Sequence, residues 1–272
     1  MLGVSVARTA LKYTSAAVDT VRRPPAGLVV LIYHRVGRRS AIEVDLPRPA
    51  FADQMAFLAA ETTVVTLSDG LARLADPAAT REPLVAVTFD DGTADFAEEA
   101  VPVLVEHGVP ATLYVATDFL DQGRAFPDDG VPLSWAALAD AASTGVVDVG
   151  SHTHTHALLD RLAVGDIAGE LDRSIELITE RVGRAPQHFA YPKAVMGSPA
   201  ADAAIRERFA SAAVAGTRVN EYGRTDPYEL ARSPIQVSDG TRWFEAKAHG
   251  GMAFEDTLRR AINKARYRGA TT

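Results

Sequence analysis

Cysteine is absent from the 272-residue chain, which excludes disulfides and thiolate metal ligands and leaves His, Asp and Glu to hold any metal. Long apolar runs are missing too, and no stretch approaches the ~20 residues of a membrane span. The N-terminal run from Leu2 to Val21 is broken by Arg8, Lys12 and Asp19. It lacks the uninterrupted apolar core of roughly 7–15 residues that marks a signal peptide. Positive charge is in deficit, and a net charge of -7 argues against a nucleic-acid partner, because such a surface repels phosphates. There is no internal repeat and no low-complexity tract. What is present is an ordinary globular composition, 47% hydrophobic and 23% charged, in a chain long enough for a full core.

Residues 1–27 read as a lead segment, a short amphipathic helix ending at Arg22-Arg23-Pro24-Pro25. Its Arg8, Lys12, Arg22 and Arg23 could face anionic lipid, so the expectation is a cytoplasmic protein with peripheral contact at the inner membrane face. From residue 28 apolar strand-like runs alternate with helix-like segments. Leu28–Tyr33, Leu84–Phe89, Ala111–Ala116 and Val146–Val149 read as buried strands, and His188–Tyr191, Ala210–Ala215 and Ile235–Val237 as shorter ones. Helices are expected at Pro49–Ala60, Phe96–His107, Ser134–Ser143 and Gly165–Val182, the last with Ile167, Leu171, Ile175, Ile178 and Val182 on one stripe. Asp118–Pro132 and Glu221–Tyr228 read as loops. A basic C-terminal helix, Phe254–Tyr267 within residues 251–272, closes the chain. Such alternation implies parallel βαβ units in an α/β fold, with chemistry at the carboxyl ends of strands.

Two clusters stand at such strand ends. Thr88-Phe89-Asp90-Asp91-Gly92 places two adjacent carboxylates after a buried strand, where they are costly unless a cation or hydrogen-bond donors compensate. Side chains alternate along an extended chain, so Asp90 and Asp91 point differently and can take two roles. The alternative is that Asp91 merely caps the following helix. Gly150-Ser151-His152-Thr153-His154-Thr155-His156 follows another strand. His152 and His156 are four apart, the spacing that puts both imidazoles on one face of a helical turn; the alternative is surface histidines in a loop. His154 lies two residues from each and is expected to point elsewhere. Together the clusters offer two imidazoles and one carboxylate for a divalent metal such as zinc, with open positions for water and substrate. The other carboxylate is free to act as general base. This is a hydrolytic constellation.

The paired motifs resemble the NodB-homology domain of polysaccharide deacetylases, carbohydrate esterase family 4. Leu31-Ile32-Tyr33-His34-Arg35-Val36, Val109-Pro110-Ala111-Thr112-Leu113-Tyr114-Val115 and Phe189-Ala190-Tyr191-Pro192 are similar to further segments of that family, and the likeness runs from about residue 28 to 245. The resemblance implies a distorted (β/α)7 barrel over residues 28–250 that hydrolyses an N-acetyl group on a sugar or glycan. It implies that Asp91, His152 and His156 bind zinc and that Asp90 takes a proton from the attacking water. It further implies that Thr153, Tyr191 and Lys193 serve substrate and oxyanion, Thr153 by supporting the His loop and Lys193 through its backbone N–H.

Two positions depart from the family pattern. Ala190 stands where many members carry an Arg that holds the catalytic Asp, and Arg35 and Arg232 are the candidates to replace it. No late Leu-x-His motif supplies the acid for the leaving amine. His34, at the end of the first strand, is the candidate acid, the alternative being a strand-end His bonded to backbone. Trp135, Trp243, Phe244 and Tyr222 could line a sugar groove or simply pack. The competing function is a catalytically inactive carbohydrate-binding protein on the same fold. A phosphoesterase is weaker, because no second metal cluster is visible. The sequence sets neither the particular acetylated sugar nor the oligomeric state.

Overall fold

The computed structural model of the protein describes residues 12–15, 23–76, 78–79 and 81–256. Seven strands close into a parallel barrel: β1 Gly27–Tyr33, β2 Leu84–Phe89, β3 Ala111–Val115, β4 Val147–Ser151, β5 His188–Ala190, β6 Ser211–Ala215 and β7 Leu230–Pro234. Around the barrel the order is β1-β2-β3-β4-β5-β6-β7, and β7 pairs back onto β1. Closure removes the sheet edges and gives every strand two neighbours. The family-like barrel expected from the sequence is therefore present. Thr63–Val64 pairs parallel with the start of β2, and Asn220–Glu221 pairs antiparallel with β1.

The outer layer comprises α1 Arg48–Glu61, α2 Leu67–Ala75, α3 Val101–His107, α4 Thr117–Gln122, α5 Trp135–Ser143, α6 Val164–Val182, α7 Pro199–Arg208 and α8 Gly240–Ala248. None of the described helices is long and apolar enough to cross a membrane. The helix expected at Phe96–His107 is present, opening with a π-helical turn at Phe96–Ala100 that leads into α3. Pro102 has no N–H to continue the i→i−4 ladder, and the widened turn absorbs that gap. Ser134 caps α5 by accepting from the Ala137 N–H. The last strand is a correction: Ile235–Val237 is not a strand, and β7 lies earlier at Leu230–Pro234. Its Leu-Ala-Arg-Ser-Pro sequence carries a charge and a proline, which hid it from an apolar pattern.

The barrel interior changes character along its axis. At the amino ends of the strands Leu28, Leu84 and Leu230 meet Leu67 and Leu74 of α2, which closes that end. At mid-height the Tyr114 ring fills the lumen, and a Cβ on Gly150 would lie 2.5 Å from it, so only glycine fits beside it. Above Tyr114 the inward positions become polar, namely Thr88, Asp90 and Arg232. Outside the barrel Tyr33, Phe51, Phe89 and Phe96 form an aromatic cluster beneath α1, with ring centroids 4.9–5.7 Å apart.

Of the N-terminal lead segment, residues 12–15 and 23–27 are described, and 12–15 are helical. Lys12 reaches Asp239, which is buried and also bonded by Lys247, both at 2.7 Å. Tyr13 meets the Trp243 ring edge at 5.1 Å. Trp243, Phe244 and Tyr222 are buried packing residues. Trp135 is half-buried against the core, with its indole N–H on Asp121. Most of the C-terminal helix expected at Phe254–Tyr267 lies outside the described residues.

Candidate active site

Asp90 is the residue after β2, and its backbone N–H bonds the Tyr33 carbonyl of β1 at 3.1 Å. It therefore continues the inward register of Ala86 and Thr88. Its carboxylate is 3% exposed, and a bare carboxylate there would be strongly disfavoured. Arg232, fully buried on β7, compensates with a bidentate pair, Nη1 to Oδ1 at 2.5 Å and Nη2 to Oδ2 at 2.8 Å. The guanidinium also lies 5.2 Å over the Tyr114 ring. Burial raises the Asp90 carboxyl, but Arg232 and His152 outweigh it and hold it below the usual carboxylate range. Of the two arginines weighed as replacements for the family's missing one, Arg232 makes this contact. Arg35 bonds the Asp128 carbonyl and sits 4.0 Å from both Asp45 and Asp95.

Asp91 turns out of the strand with φ +76°, and its carboxylate swings away from Arg232. Its Oδ1 lies 3.7 Å from His152 Nε2 and 3.4 Å from His156 Nε2. One ligand atom from each of Asp91, His152 and His156 falls within 4.8 Å of the others, a size that one divalent ion spans. The donor set fits such an ion. His152 Nδ1 donates to the Ala190 carbonyl at 2.8 Å, which fixes the tautomer and leaves Nε2 as a lone pair facing Asp91. Burial lowers the His152 pKa, so the imidazole is held neutral, as a ligand must be. Asp91 caps no helix.

The histidines come together by a different route from the one their spacing suggests. Residues 152–156 form no helical turn. Thr153 and His156 take left-handed backbone, φ +67° and +63°, and this reversal brings both rings to one side. Each such residue costs on the order of 1–3 kcal/mol and persists only where its surroundings hold it. His154 points away, with Nδ1 2.9 Å from Thr117 Oγ1.

The remaining candidates divide. His34 leaves the end of β1, beside the strand β2 that runs into Asp90 and Asp91. Its Nδ1 is buried with no hydrogen-bond partner among the described residues, so none of their backbone ties it there. Thr153 is fully buried, its Oγ1 has no hydrogen-bond partner among the described residues, and its carbonyl accepts from the Thr117 N–H. Lys193 has an exposed side chain and φ +52°. Its N–H makes none of the backbone bonds that tie Ala194 to Tyr191 and Val195 to Pro192. Tyr191 has its ring fully buried against Phe189, in one cluster with Ala201 and Ile205 of α7, and its N–H donates to the Ala213 carbonyl at 3.0 Å. His249 is exposed at the end of α8 beside Phe57, away from the site.

Residues 78–208, which contain both motifs, match the family described as polysaccharide deacetylase. A curated relative from Bacillus subtilis (strain 168), YxkH, named provisionally as a polysaccharide deacetylase, is 25% identical over 180 residues. That alignment covers 66% of this chain and 60% of YxkH, so the chain spans less than two thirds of that relative. Among solved structures, IcaB from Ammonifex degensii superposes with a TM-score of 0.69 at 26% identity, covering 84% of this chain and 99% of that one. The Streptococcus pyogenes deacetylase PplD, solved in complex with acetate, shares the fold at 17% identity and a TM-score of 0.68, over 86% of this chain and 98% of its own. BC0361, a polysaccharide deacetylase from Bacillus cereus, gives 0.67 at 20% identity, over 81% of this chain and 68% of its own. Both strand-end motifs lie inside the matched segment, and the closed seven-stranded barrel around them is similar to that of the solved deacetylases. The chain is thus similar to polysaccharide deacetylases in sequence over residues 78–208 and in fold.

Proposed function

We propose that the protein is a metal-dependent hydrolase that removes N-acetyl groups from an N-acetylated sugar or glycan, breaking a carbon–nitrogen bond that is not a peptide bond. The observation that carries this reading is the buried Asp90 carboxylate, held by Arg232, with Oδ2 3.8 Å from His152 Nε2 beside a separate three-ligand cluster. A site built only to bind sugar has no use for a second, oriented carboxylate there.

Asp91, His152 and His156 hold the metal, zinc being the ion best suited to two imidazoles and a carboxylate. A divalent ion held there supplies Lewis-acid chemistry, activating water and polarising the acetamide carbonyl. Asp90 takes the proton from the attacking water, and Arg232 fixes which carboxylate oxygen faces it. The Lys193 N–H donates to the carbonyl oxygen as negative charge develops, a task that backbone geometry performs whatever the side chain. His34, at the end of the neighbouring strand β1, gives a proton to the departing amine.

The test is metal content by mass spectrometry, followed by acetate release from N-acetylated sugars. Wild type is expected to carry near-stoichiometric divalent metal, and His152→Ala/His156→Ala to lose it. Asp90→Asn is expected to keep the metal and lose ~10²-fold or more in turnover, the usual scale of a general base. A wild type that takes up no metal at neutral pH overturns the reading. A metal-loaded wild type that binds acetylated glycans without releasing acetate establishes the inactive binder instead.

A further inference from the structure

The loop that carries His152 and His156 is fastened to α6 by two residues one helical turn apart. Ser174 Oγ lies 2.8 Å from Ser151 Oγ, which accepts from the Thr153 N–H at 3.3 Å. Glu170 holds the loop's middle. Its Oε2 accepts from the N–H groups of His154 at 3.1 Å and Thr155 at 2.9 Å, and its Oε1 accepts from Thr155 Oγ1 at 2.8 Å. Residues i and i+4 share one face of a helix, so Glu170 and Ser174 form a single row against the loop.

Glu170 carries no ion pair among the described residues; its carboxylate is spent on this loop. The two amides it binds lie between Thr153 and His156, the two residues with left-handed backbone. A loop reversed twice without glycine relaxes unless it is held, and three bonds converging on one carboxylate hold it between the reversals. Across the loop, α4 completes the clamp: Asp118 N–H donates to the His154 carbonyl at 2.9 Å.

We infer that Glu170 is a positioning residue for the metal site, keeping His156 Nε2 within reach of Asp91 and His152 without touching ion or substrate. The inference rests on the metal-dependent reading above. It predicts that Glu170→Ala weakens divalent metal binding by roughly 10- to 100-fold, the usual effect of removing a group that orients a ligand. Helix α6 keeps Ser174 and its buried apolar stripe in that variant, so thermal unfolding of the metal-free protein should be little changed. Glu170→Gln retains an oxygen for both amides and should bind metal within about threefold of wild type.

The experiment measures zinc affinity by competition with a chromophoric chelator for wild type, Glu170→Ala and Glu170→Gln. Amide exchange at His154 and Thr155 is followed in the metal-free proteins. Weakened zinc binding and faster exchange in Glu170→Ala, with recovery in Glu170→Gln and an unchanged unfolding temperature, support the assignment. Equal zinc affinity in wild type and Glu170→Ala overturns it. Weakened binding that tracks a lowered unfolding temperature, unrescued by Glu170→Gln, also overturns it by reducing Glu170 to a stability residue. A wild type that binds no zinc instead removes the metal reading on which the assignment stands.

Discussion

The two ends of the barrel are built from the same residue types and treat them in opposite ways. At the amino end His188 is fully buried, and both ring nitrogens are satisfied, Nε2 by Ser68 Oγ at 2.8 Å and Nδ1 by Ser211 Oγ at 2.9 Å. Leucines from β1, β2, β7 and α2 fill the space beside it. At the carboxyl end His152 has one nitrogen bonded and the other turned to Asp91, and His34 Nδ1 and Thr153 Oγ1 are buried without hydrogen-bond partners among the described residues. Left-handed backbone at non-glycine residues gathers there too, at Asp91, Thr153, His156, Lys193 and Ala194. A histidine closed at both nitrogens is a fastener. One left open at a strained strand end is available for chemistry. Burial alone does not distinguish them; the partners do.

The comparison is broken most severely at its charged end. Arg232→Met leaves the Asp90 carboxylate buried and unpaired, and is expected to lower unfolding free energy by about 3–5 kcal/mol in urea titrations. A loss under about 1 kcal/mol means the pair is solvated and the closed picture of the upper barrel is wrong. Next comes the boundary between the two halves. Gly150→Ala drives a methyl against Tyr114, and overpacking of this kind costs about 1–3 kcal/mol. A neutral result would show that Tyr114 can move aside and that the ring does not separate the ends.

The smallest effect lies at the amino end and appears as pH dependence. Burial lowers the His188 pKa, with Asp148 opposing it. The folded state thus resists protonation while the unfolded chain protonates near pH 6.5. The unfolded state binds more protons in this window, so stability is fully present above about pH 6.5 and falls as pH drops below it. His188→Gln should flatten that limb between about pH 6.5 and 5 and cost about 1 kcal/mol at neutral pH. Metal uptake and acetate release should stay unchanged. Altered activity in this variant would dissolve the division between the ends.

Much of this was legible from residue order. Leu84–Phe89 is all apolar because a barrel strand is buried on both faces, and the expected limits match the strand seen. Capping and periodicity located α1, α5 and α6 within a residue or two. Strand β7 was not legible, because its central inward residue is an arginine whose partner lies 142 positions away. The Asp90-Asp91 and His152–His156 clusters were legible as types and positions. The way the histidines meet was not, since a spacing of four fits a helical turn as well as a loop reversed at Thr153 and His156. Tyr191 adjoins the motif in sequence, yet its ring belongs to the outer core.

By itself the sequence determined six of the barrel's seven strands, the restriction of candidate metal ligands to His and Asp that the absence of cysteine imposes, and the two strand ends where those candidates stand. These follow from local periodicity and side-chain type, which need no partner to be read. Tertiary structure alone decided that Arg232 rather than Arg35 holds Asp90. It alone decided that Ala190 orients His152 through its carbonyl and that Glu170 reaches the His loop from α6. Each of these contacts joins residues brought together by barrel closure or by a helix packed on it, and no pattern along the chain encodes which distant groups will meet.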